Sequence, residues 1–200
     1  MSKSIDKAYR IFEKHGGVLR TYQALAEGIS PRDLYIMRDE NIITQISRGF
    51  YQLSTNEPLS DPDLVTVASR IPKAVICLTS ALYYHDLTSE IPRQVSIALP
   101  RDAEKPRLDY PPLWIFWLSA SAYSSGIEIT IIHEIPVKIY SVEKTIADCL
   151  KFRNRIGQDT VMEALKEYMR LPNKKINDLM HFARINRIEK LTRQYLEALI

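Results

Sequence analysis

The sequence is poor in features that mark secreted, membrane or disulfide-rich proteins. It has two cysteines in 200 residues, and Cys77 and Cys149 are too far apart for a metal motif or a disulfide framework. No run approaches the roughly 20 apolar residues of a membrane span, and Met1–Asp6 lacks the apolar segment of a secretory signal. We therefore expect two free, buried thiols, a reduced cytoplasmic setting and no membrane partner.

Sequence patterns of the common enzyme classes are also missing. No Asp or Glu stands two residues before a Lys, as in restriction-type nucleases, and neither Gly-x-x-x-x-Gly-Lys nor Gly-x-Ser-x-Gly occurs. The four histidines are scattered without metal-ligand spacing. Asp61 and Asp63 could form a metal pair, but capping of a helix start explains them better. The sequence predicts no catalytic residue, no metal and no cofactor.

Charge is uneven along the chain, although the net charge is only +3. Residues 1–53 carry eight Lys and Arg against six Asp and Glu, residues 54–150 carry eight against twelve, and residues 151–200 carry eleven against six. Because phosphate neutralisation requires clustered Lys and Arg, any contact with a polyanion is expected at the two ends of the chain.

One stretch in the first quarter of the chain has the pattern of a helix-turn-helix. Thr21–Glu27 is typical of a short helix, and Gly28 with Ile29 is typical of a tight turn. Ser30 suits the N-cap of a second helix, and Pro31 suits its first position. Two β-rich runs then flank a turn that contains glycine, which predicts a hairpin. A hairpin after the second helix is the layout of a winged helix, so the sequence predicts a DNA-binding module.

The exposed side of the second helix and the tip of the wing supply the predicted DNA contacts. Arg32 and Ile36 are candidates for base contacts, since arginine bonds guanine in bidentate fashion and isoleucine can contact a thymine methyl group. Arg20, Lys14 and Arg48 are candidates for phosphate contacts, and Ser30 with its neighbouring N–H groups could hold a phosphate. The predicted DNA-binding residues are Arg20, Ser30, Arg32, Tyr35, Ile36, Arg38 and Arg48.

The rest of the chain predicts a second domain. The polar segment Ser54–Ser60 marks the boundary, so that residues 1–54 form the winged helix-turn-helix domain and residues 60–200 a C-terminal domain with a helical tail. Short strands alternate with helices up to about residue 150, and helical patterns follow from Gln158. The predicted fold class is α+β, an N-terminal winged helix-turn-helix followed by a mixed α/β domain that ends in helices.

Some details of this domain carry their own expectations. Three cations lie off the apolar face of the last helix, Arg187, Lys190 and Arg193. Three interpretations stay open for them: a solvated helix surface, a second phosphate-contacting face, or a docking face for a partner. Lys144 and Asp148 are four residues apart on one helix, and we expect an ion pair that stabilises the fold.

Two local features complete the predictions for this domain. Thr79 or Ser80 should cap the helix that follows a buried strand. The strand with Phe116 and Trp117 is expected to be buried on both faces.

Several short motifs occur in an order that is typical of one protein family. They are Gly17–Leu19, Ile29–Pro31, Ser47–Leu53, Thr79–Leu82, Ile97–Pro100 and Ser141–Asp148. With these motifs, the chain resembles the AbiEi-like antitoxins of type IV abortive-infection toxin–antitoxin systems. The resemblance implies a winged helix that binds and represses its own promoter, often at inverted repeats. It also implies a C-terminal domain that helps to counter a nucleotidyltransferase-like toxin, with or without direct contact.

Two alternatives stay open at this stage. The winged helix could bind a protein instead of DNA, which predicts a stable complex and no salt-sensitive DNA binding. A metal-dependent nuclease is the enzymatic alternative, and it would depend on Asp61 and Asp63.

Overall fold

The computed structural model describes residues 3–47, 49–55, 61–132 and 135–199. Its α+β fold confirms the predicted class. The chain divides into two compact units, unit 1 with Met1–Thr66 and Ile131–Ile135, and unit 2 with Val67–Thr130 and Pro136–Ile200. A search of the described ranges for a helix long and apolar enough to cross a membrane finds none.

The described residues from 3 to 55, all in unit 1, form three helices and a small sheet, which confirms the predicted winged helix-turn-helix layout. The elements are α1 (Lys3–Lys14), β1 (Val18–Arg20), α2 (Thr21–Ala26), α3 (Pro31–Asp39), β2 (Ile43–Ser47) and β3 (Phe50–Leu53). The three strands are antiparallel in the order β1-β3-β2. Strand β1 is absent from the sequence prediction, because three residues are too few to show an alternating pattern.

Unit 1 is held together by one apolar core. On α1, Ile5, Ala8 and Phe12 face inward at the spacing of a single helix face. On α3, Leu34 and Met37 are buried, as their spacing of three predicts. Full burial of an aliphatic or aromatic side chain of this size stabilises the fold by roughly 1.5–3 kcal/mol.

A five-stranded mixed sheet with helices forms the rest of the described chain. The strands are β4 (Val75–Ile76), β5 (Val95–Pro100), β6 (Leu113–Leu118), β7 (Ile127–Ile132) and β8 (Ile135–Tyr140), in the order β6-β5-β4-β8-β7. The helices are α4 (Pro62–Arg70), α5 (Leu78–Tyr84), α6 (Ala120–Ser124), α7 (Val142–Lys151), α8 (Arg153–Ile156), α9 (Gln158–Arg170), α10 (Ile176–Ile185) and α11 (Glu189–Glu197). Strand β5 is antiparallel to β4 and parallel to β6, and β4 is parallel to β8.

Helix α7 is the centre of unit 2. The Ser141 hydroxyl caps it by accepting the backbone N–H of Lys144 at 3.3 Å, and every residue from Glu143 to Leu150 is buried. Cys77 and Cys149 are free and buried, as expected. Burial, followed by the charge of Asp148, raises the pKa of both thiols, so that they are poor nucleophiles.

The predicted cap of α5 is wrong. The N-cap is Cys77, one residue before the helix starts, and the two candidate hydroxyls turn to the neighbouring strand instead. The Ser80 hydroxyl accepts the backbone N–H of Ser96 at 2.9 Å, and the Thr79 hydroxyl lies 2.9 Å from the Ser96 hydroxyl. Both side chains therefore fasten α5 to β5.

The prediction that β6 is buried on both faces is also wrong. Phe116 is buried, but Trp117 on the other face is 43% exposed, and its indole N–H donates to the Ala103 carbonyl at 2.9 Å. Strand β6 lies at the edge of the sheet, and the loop with Ala103 covers Trp117 only in part.

Candidate nucleic-acid interface

The turn between α2 and α3 depends on Gly28. This residue has φ +88°, and no heavy atom lies within 4 Å of a Cβ built on it. The next backbone N–H, that of Ile29, donates to the Ala24 carbonyl at 2.9 Å and closes the end of α2. The left-handed glycine thus reverses the chain between the two helices, as the sequence predicts.

Ser30 caps α3 with both functions of its hydroxyl. The oxygen accepts the Asp33 backbone N–H at 3.1 Å, and the hydroxyl donates to the Asp33 carboxylate at 2.8 Å. The same carboxylate accepts the Ser4 hydroxyl at 3.2 Å. A phosphate at this helix end would therefore meet a negative charge and a hydroxyl that already has partners.

Arg38 is held in a small polar cluster at the exposed end of α3. Its Nε and Nη2 donate to Asp39 Oδ1 at 3.0 and 2.7 Å, and its guanidinium carbon lies 5.1 Å from the centroid of the Tyr35 ring. The hydrogen bond and the charge of Asp39 raise the pKa of Arg38. The cluster orients Arg38 but also neutralises it.

The remaining candidate arginines differ in their surroundings. Arg32 is exposed, and among the described residues it has no ion-pair partner. Arg20 ends β1, where its guanidinium carbon lies 5.9 Å from the Tyr22 ring centroid. Arg48 lies outside the described residues.

Ile36 contributes less to the exposed surface than the sequence suggests. It is half-buried and packs against the core of unit 1. Tyr35, its neighbour in the chain, is 55% exposed. The described outer face of α3 is therefore formed mainly by Arg32, Tyr35 and the Arg38–Asp39 pair.

A groove of about 350 Å³ runs between α3 and the wing. Its lining residues are Thr21, Pro31, Leu34, Tyr35, Arg38, Gln45, Gly49 and Tyr51. Gly49 has φ +75°, as expected for the hairpin turn, and a Cβ there would lie 3.3 Å from Thr21 Oγ1. Its carbonyl accepts the Thr21 backbone N–H at 2.9 Å, which ties the wing to the start of α2.

This groove brings together residues that the sequence prediction separates. Tyr35 and Arg38 belong to the predicted DNA-binding set, whereas Thr21, Gln45 and Tyr51 do not. Their positions depend on how the wing folds back towards α3, and no periodic pattern within one element carries that information.

The second basic surface lies at the turn between α10 and α11. The predicted residues Arg187, Lys190 and Arg193 line one concavity of about 550 Å³ together with Arg184 and Glu189. The sequence prediction thus groups residues that are neighbours in space.

The alternative metal site has little structural basis. Asp61 and Asp63 lie at the start of α4, where the Asp61 carbonyl accepts the Val65 backbone N–H at 3.2 Å, and burial raises the pKa of Asp63. Over the described ranges, no group of three or more His, Cys, Asp or Glu side chains could hold a metal ion.

Residues 6–54 match the protein family described as "Transcriptional regulator, AbiEi antitoxin". The chain is also similar in structure to the RV2827C protein from Mycobacterium tuberculosis, with a TM-score of 0.55 and 12% sequence identity. That similarity covers 96% of this chain and 81% of the other, and at such low identity it concerns the fold alone. No curated protein matches the sequence. The chain therefore carries the N-terminal domain of the AbiEi antitoxin transcriptional regulators, within a fold shared over most of its length with RV2827C.

Proposed function

We propose that this protein is a DNA-binding repressor of its own operon and the antitoxin of a type IV toxin–antitoxin system. In this proposal it binds inverted repeats in its promoter and counters a nucleotidyltransferase-like toxin. The observation that carries the DNA-binding part is the groove between α3 and the wing, which is lined by residues that include Tyr35 and Arg38. The groove lies within residues 6–54, the range that matches a family of transcriptional regulators. Residues 1–54 then act as the DNA-binding domain and residues 60–200 as the antitoxin domain.

In this proposal α3 enters the major groove of DNA, and its exposed side chains make the contacts. The major groove of B-DNA is about 12 Å wide and accepts one α-helix. Arg32 is exposed and suits guanine, whose O6 and N7 accept two hydrogen bonds from a guanidinium group. The Tyr35 hydroxyl and Arg20 are suited to phosphate oxygens, which fix the register of the protein on the duplex.

The first test is binding to the DNA upstream of the protein's own gene, measured by gel shift at low salt. The Arg32→Ala variant should lose roughly 10- to 100-fold in affinity for this DNA, since one bidentate base contact contributes about 1–3 kcal/mol of discrimination. Its affinity for a scrambled duplex should change little. Lys7→Ala is the matched control, because Lys7 is an exposed cation on α1 outside the groove lining.

Unchanged mobility of the upstream DNA at low salt would contradict the proposed repressor. Equal losses for the upstream and the scrambled duplex would retain DNA binding but reject base recognition by Arg32. A stable protein complex without salt-sensitive DNA binding would favour the protein-interaction alternative.

Asp39→Asn should strengthen DNA binding. Asp39 holds both Nε and Nη2 of Arg38, so that a phosphate must compete with it for the same donors. The variant should steepen the dependence of log affinity on log salt by about one unit, the slope expected of one additional phosphate contact. Fluorescence anisotropy between 50 and 200 mM salt, roughly the range over which such contacts weaken, measures this slope.

Glu40→Gln is the control for this experiment. Glu40 is exposed and also carries one negative charge at the end of α3, but it has no ion pair among the described residues. If both variants change the slope equally, the effect comes from net charge and not from release of Arg38.

The antitoxin part of the proposal is tested by co-expression with the neighbouring gene. Cells that express a nucleotidyltransferase-like neighbour should stop growing, and this chain should restore growth. The Arg32→Ala variant should still protect, because antitoxin activity is assigned to residues 60–200. Growth arrest that this chain does not relieve would reject the antitoxin assignment, and DNA binding would then stand alone.

A further inference from the structure

Unit 2 contains a small cavity that the proposed function does not use. It has a volume of about 190 Å³ and lies between the loop that joins α5 to β5, strand β6 and helices α8 and α9. All of its lining residues belong to unit 2 and lie outside the 6–54 range of the family match. This size falls between the roughly 150 Å³ that holds benzene and the roughly 300–1,000 Å³ of sites for drug-sized ligands. The cavity therefore suits a molecule of about ten non-hydrogen atoms and is too small for a nucleotide.

Two side chains of opposite charge line the cavity without neutralising each other. Glu90 and Arg93 lie in the loop between α5 and β5, and both are exposed. Among the described residues, no ion pair joins the two, and the Arg93 guanidinium group has neither an acidic nor a hydrogen-bonding partner. The Glu90 carboxylate accepts the Thr160 hydroxyl at 3.5 Å, a long contact for two oxygen atoms. One guanidinium group and one carboxylate are therefore available to a ligand.

The wall behind these charges is apolar. It is lined by Pro92, Trp114 and Ile156, which are half-buried. Trp114 and Ile156 also pack against the core of unit 2. A ligand with an aliphatic or aromatic group that covers this wall removes apolar surface from water on both partners. The cavity thus combines a contact for an anion, a contact for a cation and an apolar surface.

Hydrogen bonds fix both ends of the loop at the cavity. At its start, Glu163 of α9 accepts the Ser89 backbone N–H and the Ser89 hydroxyl, each at 2.9 Å, and the Thr88 hydroxyl at 3.1 Å. The backbone hydrogen bond from Ser89 is the main cause of the lowered pKa of Glu163. At the end of the loop, the Ser80 hydroxyl donates to the Gln94 carbonyl at 3.4 Å. A ligand therefore loses little affinity to the ordering of this loop.

We propose that this cavity binds a small zwitterion, a free α-amino acid with an apolar side chain. Arg93 holds the carboxylate, Glu90 holds the ammonium group, and the apolar side chain covers Trp114. A simple anion such as phosphate is repelled by Glu90, and a simple cation is repelled by Arg93. A ligand with both charges satisfies both side chains through charge-assisted hydrogen bonds. This site does not depend on the DNA-binding or antitoxin activity proposed above.

The first test is isothermal titration calorimetry of the full-length chain with L-leucine, L-valine, L-methionine and L-phenylalanine. At least one of them should bind with a dissociation constant of roughly 0.1–1 mM, as expected for a ligand of about ten non-hydrogen atoms. If none of the four gives a saturable heat up to about 10 mM, ten times the weakest expected constant, the proposal is wrong.

Removing one charge at a time tests the orientation of the ligand, here written for L-leucine. Arg93→Gln should weaken L-leucine binding by about tenfold or more, since a hydrogen bond between charged groups is lost. It should not weaken leucinamide, which lacks the carboxylate. Glu90→Gln should weaken L-leucine by a similar factor but should not weaken isocaproate, which lacks the ammonium group. Both residues are exposed, and a folding defect would weaken all three ligands alike. L-leucine binding that neither variant changes would overturn the proposal.

Arg101→Gln and Glu104→Gln are the matched controls. Arg101 and Glu104 are exposed residues of unit 2 that lie outside the cavity lining. Both controls should bind L-leucine as the wild type does. A loss equal to that of the cavity variants would show an effect of net charge and would reject the assigned contacts.

Trp114 reports where the ligand binds. The chain has two tryptophans, so that Trp117→Phe leaves Trp114 in the cavity wall as the single reporter. L-leucine should change the Trp114 emission with the same dissociation constant that calorimetry gives. Heat of binding without a change in this emission would place the ligand elsewhere on the chain, which contradicts the proposal.

Discussion

Replacing Lys144 with methionine is expected to lower the free energy of unfolding of unit 2 by roughly 3–5 kcal/mol. Lys144 and Asp148 form an ion pair in which the side chains are 0% and 2% exposed. Loss of the ammonium group leaves the Asp148 carboxylate charged and buried without its counter-ion. A group of this kind destabilises the fold far more than loss of a surface pair, which costs at most about 1 kcal/mol.

The ion pair lies among other buried side chains, which include Tyr140 and Asn186. Its Nζ lies 4.3 Å from the centroid of the Tyr140 ring, and the Tyr140 hydroxyl donates to the Tyr123 carbonyl at 2.8 Å. On the other side, Asp148 accepts the amide of Asn186. Burial, followed by the charge of Asp148, raises the pKa of the Tyr140 hydroxyl. The buried carboxylate of Asp148 therefore depends on the charge of Lys144 and on the hydrogen bond from Asn186.

Tryptophan fluorescence measures the effect selectively. The chain has two tryptophans, and both Trp114 and Trp117 lie in β6 of unit 2. Their fluorescence during urea unfolding should report the lower stability of the Lys144→Met variant. Unit 1 has no tryptophan and does not contribute to this signal.

The double variant Lys144→Met, Asp148→Leu is the control. It removes both charges and should be more stable than the single variant, since apolar side chains of similar volume often replace a buried pair with little loss. Asn186 then loses its acceptor, so full recovery is not expected. If the single variant loses less than about 1 kcal/mol, the pair behaves as an exposed one and its buried role is wrong.

The ion pair also illustrates what the sequence could predict. A spacing of four on one helix correctly predicts that Lys144 and Asp148 are partners. It does not reveal burial, because the charged residues of α7 lie between elements that are distant in sequence. Glu143, for example, accepts the backbone N–H of Lys175 at 3.1 Å from the segment before α10.

The same division holds in unit 1. Local patterns predict the Ser30 cap, the inward-facing Leu34 and Met37, and the left-handed turn glycines, because each depends on a few neighbouring residues. They do not predict that Ile36 packs against the core or that Asp39 accepts two hydrogen bonds from the Arg38 guanidinium group. Both results depend on side-chain rotamers and on tertiary packing. Which side chains of the predicted DNA-binding face are exposed and unpaired is thus known only from the structure.

Gly126→Ala should be the most damaging change of a single methyl group in unit 2. Gly126 has φ +71°, where an alanine is strained by about 1–3 kcal/mol. A Cβ there would also lie 2.7 Å from Lys144 Cβ and 3.0 Å from Phe182 Cζ. Overpacking of this kind costs typically 1–3 kcal/mol more, so that the expected loss in unfolding free energy is roughly 2–6 kcal/mol.

Gly157→Ala separates backbone strain from the steric clash. Gly157 has φ +97°, and the nearest heavy atom to an added Cβ is Thr160 Oγ1 at an ordinary 3.6 Å. This variant carries strain without a close contact, and it lies in the same unit, so that both changes are followed by the same tryptophans. The Gly126 variant should be less stable than the Gly157 variant by about 1–3 kcal/mol. Equal stability of the two would mean that Lys144 moves aside freely, which contradicts a rigidly packed ion pair at the centre of this unit.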